Sequence, residues 1–145
     1  MSVVATTSKD VDLATLAKMK LATEHSRGPE LDRLERLLHQ GESVITLGDA
    51  LFRTGRQERR GLMVLTDQRL ICLESGTPHA DLLEFPLAAI ASIESGAPLG
   101  SGDAKRGHVT ILAEGIETNL ARIRPWERAA EIVQHIRGSI AARAA

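Results

Sequence analysis

Residues 60–75, RGLMVLTDQRLICLES, set two apolar runs on either side of a polar pair, Asp67-Gln68. Runs rich in Leu, Ile and Val joined by a two-residue polar turn specify an antiparallel hairpin. The pattern constrains the chain strongly. A slip of one residue would turn the inward side chains outward, so the apolar faces fix the register. Two strands alone are marginal in water, so this hairpin calls for further strands and for a layer over its apolar face.

The same alternation of short apolar runs and turn signals extends from Glu42 to about Ile123. Strands are predicted near 43–52, 60–66, 69–75, 81–86, 90–95, 107–113 and 116–123. ESGTPHAD and the glycine-rich SGAPLGSGDAKRG are connections, and Glu114-Gly115 is a second two-residue turn. Seven consecutive short strands at this spacing predict a small antiparallel barrel or an orthogonal sandwich.

Helical periodicity flanks this region on both sides. From Lys9 to about Gln40, Leu13, Leu16, Ala17 and Leu21, and then Leu31, Leu34, Leu37 and Leu38, recur at steps of three and four. SRGPE at 26–30 divides the two stretches, with Gly28 placed to end one helix and Pro29 to open the next. Residues 1–40 thus read as a helical arm or helix pair, its apolar stripe covering either its own domain or a partner copy. Residues 41–145 form the main domain. After Pro125, the residues Trp126, Ala129, Ala130, Val133, Ile136 and Ile140 share one helix face. Glu127 suits the positive end of that helix dipole, and Arg137 and Arg143 suit the negative end. The stripe is expected to plug the barrel.

Aromatic residues are 2% of the chain, so the core must be aliphatic. Eighteen basic residues against 19 acidic ones give no basic excess, which argues against nucleic acid as a partner. No stretch approaches the roughly 18 uninterrupted apolar residues of a membrane span. MSVVATTSKD lacks the charged start and apolar core of a signal peptide, so the expected compartment is the cytoplasm. Cys72, the single cysteine, lies in an apolar run and reads as a buried, inert thiol.

GESVI at 41–45, RGLMVLTDQRLICLES at 60–75, EFPLAAIASIESG at 84–96 and HVTILAEGIE at 108–117 together resemble the bacterial pleckstrin-homology group, in particular its YokE-like branch. The resemblance covers residues 36 to 141. It implies a mainly β fold with added helix: a seven-stranded antiparallel barrel or orthogonal sandwich capped by a C-terminal helix, here preceded by an N-terminal helical region. It also implies a noncatalytic module for protein–protein interaction or self-assembly, with homo-oligomers among the expected partners.

The residues themselves offer no catalytic grouping. His25, His39, His79, His108 and His135 are scattered without metal-ligand spacing, so no metal site and no cofactor are expected. Gly96, Gly100 and Gly102 lack the spacing of a phosphate-binding loop. The candidate ligand-binding residues are Arg53, Arg56, Arg59 and Arg60, which stand against one acid, Glu58, between the first two strands. Arginine forks can grip phosphate oxygens, so peripheral contact with an anionic membrane or a phosphate ligand is the alternative function. The competing reading is a solvated loop kept soluble by its charges.

Overall fold

A computed structural model describes residues 28–54, 57–74, 82–96, 107–124 and 126–144. The predicted first N-terminal helix and the two long connections after residues 74 and 96 lie outside the described residues. Helix α1 spans Gly28–Leu37. The strands are β1 Val44–Thr54, β2 Gln57–Thr66, β3 Arg69–Glu74, β4 Leu82–Pro86, β5 Ile90–Ser95, β6 Gly107–Ala113 and β7 Ile116–Arg124. A 3-10 turn at Leu87–Ala89 links β4 to β5, and helix α2 runs over Trp126–Ala144. Each predicted strand is present, with ends within three residues of expectation.

All seven strands belong to one antiparallel sheet ordered β4-β3-β2-β1-β7-β6-β5. The sheet curls into a half-barrel, and among the described strands β4 and β5 are its two edges. The chain passes between those edges through the 3-10 turn, and α2 lies over the open side, against β5, β6, β7 and β1. Sequence patterning gives strand number and alternation but not the amount of curl, so a sealed barrel and this half-barrel share one pattern.

Each face of the sheet buries its own apolar cluster. The inner face gathers Ala50, Phe52, Met63, Leu65, Leu70, Cys72, Val109, Ile111 and Ile123 with Ala129, Ile132, Val133 and Ile136 of α2. The outer face of β1–β3 gathers Leu47, Leu62, Val64, Ile71 and Leu73, and Leu34 of α1 lies fully buried among them. Helix α1 therefore covers its own sheet, and the uniformly buried β3 is explained by layers on both sides. A bulge at Ile45 turns two successive side chains inward: Ile45 packs on the inner cluster and Thr46 reaches Glu131 of α2, while Val44 before them serves the outer cluster.

Helix α2 differs from its sequence reading at two positions. Trp126 is 36% exposed, whereas Ile132, absent from the predicted stripe, is fully buried. The helix is seated instead by Gly107, where an added Cβ would stand 2.7 Å from the Ala129 Cβ and 3.1 Å from the Trp126 carbonyl oxygen. A large side chain cannot be inserted at so close a crossing. Thr46 Oγ1 donates to Glu131 Oε1 at 2.6 Å, and Arg128 donates to the same oxygen at 2.7 Å, which ties the helix to β1.

Candidate functional site

The β2–β3 turn is held by a buried polar cluster that the hairpin pattern alone did not disclose. The Thr66 hydroxyl accepts from the Gln68 and Arg69 amides at 3.0 Å each and donates to Glu42 Oε2 at 2.6 Å. Arg69 grips Glu42 through Nε at 2.9 Å and a terminal nitrogen at 3.0 Å. The guanidinium also donates to the Leu37 carbonyl at 2.6 Å and to Glu84. One side chain thereby joins the end of α1, the lead into β1, the hairpin and β4. Burial opposes the charge on Glu42, but donors from Arg69, Thr66 and the His39 amide outweigh it and lower its pKa to about 2. The Glu42 hydrogen bonds raise the pKa of Arg69 in turn. Glu42, Thr66 and Arg69 are buried and engaged with one another, whereas Glu84 is exposed, so the cluster serves to tie these elements together.

The accessible candidate lies at the opposite edge of the sheet. A shallow groove of about 240 Å³ runs between β5 and the last turns of α2, lined by Ala91, Ser92, Ile93, Glu94, Arg137 and Ile140. In β5 only Ile90 and Ile93 are buried, which leaves the side chains of Ala91, Ser92, Glu94 and Ser95 toward solvent. Arg137 Nε donates to the Ile93 carbonyl at 3.2 Å. Arg143 donates to the Ala88 and Ile90 carbonyls at 2.6 and 2.7 Å. The groove thus offers an apolar floor and both signs of charge. The sequence had suggested the two arginines only as partners of the helix dipole. Their position over β5 depends on which strand the curled sheet leaves at its edge.

The four arginines singled out in the sequence are not gathered into one described site. Arg53 pairs with Glu58 in the backbone register, and its side chain, like all of Arg56, lies outside the described residues. Arg59 stands opposite Phe52 on the inner face and forms a 2.6 Å ion pair with Glu74. Arg60 is the next residue along β2 and leaves by the outer face, where it is exposed. Glu74 is thus an acid that the local count around this loop omitted. Among the described residues no group of three or more His, Cys, Asp and Glu side chains could hold a metal ion. Among them, too, no helix is long and apolar enough to cross a membrane.

No family model and no curated protein matches the sequence. Solved structures do resemble the fold. The hSac2 domain from the human phosphoinositide phosphatase Sac2 aligns over 81% of this chain and 86% of that one, with a TM-score of 0.50 and 12% identity. The pleckstrin homology domain from Shewanella amazonensis SB2B aligns over 81% of this chain and 96% of that one, with a TM-score of 0.44 and 18% identity. At such identities the likeness is one of fold. The architecture is a curled seven-stranded antiparallel sheet closed by a C-terminal helix, the arrangement that the sequence resemblance implied.

Proposed function

We propose that this protein is a noncatalytic binding module of the bacterial, YokE-like kind, working in the cytoplasm and taking a protein segment, from another chain or from a second copy, into the groove between β5 and α2. The observation that carries this reading is the groove itself, where exposed Ser92 and Glu94 face Arg137 and Ile140 beside a sheet edge. A rigid sheet and helix hold these groups without ordering cost at the moment of contact, which favours recognition even by a small surface. A photo-crosslinking residue at Ser92, compared in cells with the same residue at the exposed Glu127, tests the proposal. Adducts of defined protein partners specific to position 92 support it. Equal labelling at both positions, or none at position 92, rejects it.

The arginine-rich end of β1–β2 supports a second reading, contact with anionic lipid or phosphate. Exposed Arg60 favours it, whereas the ion pair of Arg59 with Glu74 counts against it. Co-sedimentation with vesicles of rising anionic content decides the matter. Binding unchanged by Arg60→Ala, or indifferent to salt, excludes this site.

A further inference from the structure

An edge strand presents a row of backbone donors and acceptors to any chain that comes alongside, and proteins blunt that hazard with charged side chains laid over the edge. In β5 the alternation can be followed from Ser92 to Gly96, past the bulge between Ile90 and Ser92. The Gly96 amide bonds back to the His108 carbonyl of β6, so Gly96 and Glu94 direct their backbone groups inward to the ladder. Ile93 and Ser95 therefore direct theirs outward. The outward carbonyl of Ile93 is taken by Arg137, and the carbonyls of Ile90, before the bulge, and of Ala88, in the 3-10 turn, by the two ends of the Arg143 fork. Two carbonyls of β5, and one of the 3-10 turn that leads into it, thus receive donors from α2, where an eighth strand would otherwise reach the two in β5.

We infer that Arg137 and Arg143 guard the β5 edge, keeping it from pairing with the β5 of a second copy of this chain. A second β5 arriving antiparallel would need the Ile93 and Ile90 carbonyls for its own amides. It would also have to move two guanidinium groups whose planar forks are already fixed by hydrogen bonds. A role at the helix dipole alone would require positive charge near the last turns but no contact with β5. The inference rests on the groove being the recognition surface: side chains in the groove select the partner while backbone pairing, which any strand could exploit, is withheld. The two claims fail separately, since the cross-linking at Ser92 reports on the groove, while a mass above the parent's that Ser95→Pro reverses reports on the guard.

Arg137→Met with Arg143→Met keeps most of each apolar stem and removes every donor. Light scattering behind size exclusion, over a dilution series of the full chain, should show the parent mass when dilute. The mass should rise about two-fold at high concentration, as expected for an isologous pair. Ser95→Pro, added to the double variant, deletes an outward amide while sparing the ladder to β6, and should restore the parent mass. A double variant that keeps the parent mass throughout overturns the inference, and so does association that Ser95→Pro leaves untouched. If the double variant does not fold, Arg143→Met carries the test from its exposed place in the last turn. It frees the Ile90 carbonyl at the start of β5 and the Ala88 carbonyl beside it, and a mass identical to the parent's at every concentration overturns the inference just as directly.

Discussion

Glu42 is fully buried yet charged, because the Arg69 fork, the Thr66 hydroxyl and the His39 amide all donate to it. Its folded pKa of about 2 lies below the ordinary 4.5, so the folded carboxylate binds its proton more weakly than the unfolded one. Its contribution is complete above 4.5 and is lost as the pH falls toward 2. Denaturant melts between those limits should show stability falling with acid, and Glu42→Gln should flatten that slope. The same variant leaves Arg69 with Glu84 as its remaining carboxylate and should cost about 1–3 kcal/mol at neutral pH. Adding Arg69→Met to it should cost less than the two single losses summed, in a double-mutant cycle. Gly107→Ala offers a second check at this scale. Its new methyl must push α2 away from β6, an overpacking cost of about 1–3 kcal/mol measurable by the same melts.

At the scale of elements, α1 and α2 do different work on opposite faces of one sheet. Helix α1 is short, and it is fastened by a single fully buried leucine together with two arginines, Arg69 donating to the Leu37 carbonyl and Arg33 to the Glu74 carbonyl. Leu34→Ala should therefore cost about 2–5 kcal/mol. Hydrogen exchange should quicken in α1 and on the outer side of β1–β3 before it quickens in α2. Uniform quickening across both layers would show that α1 is not a separable layer. The strands and the terminal helix were legible in the sequence because alternation, the Glu114-Gly115 turn with both residues at positive φ, and the helix start at Trp126 are local properties. The pairing of Glu42 with Arg69 was not, although both residues lie in motifs that carry the family resemblance. They are 27 positions apart and meet only when the hairpin folds back on the lead into β1.

For the molecule as a whole, Cys72 is a natural reporter. It lies on β3 facing the inner cluster, and burial pushes its thiol up to about 12. No thiolate is exposed to a reagent while the sheet and α2 stay together. Labelling by a thiol reagent in native buffer should follow global opening and accelerate with denaturant along the equilibrium unfolding slope. Rapid labelling insensitive to denaturant would mean that the half-barrel opens locally beside β3. The candidate surface also belongs to this scale, because no single element contains it.

The sequence by itself determined the number of strands, their approximate limits, the tight turns and an amphipathic terminal helix, since periodicity and turn chemistry act over a few residues. Only the tertiary structure decided that the sheet stays open, that α1 covers its own outer face, and that Arg59 meets Glu74 while Arg60 leaves by the other face. It also decided that Arg137 and Arg143 reach the β5 carbonyls. Each of these depends on sheet curl and on partners far apart in the chain, and a pattern read a few residues at a time does not encode such distances.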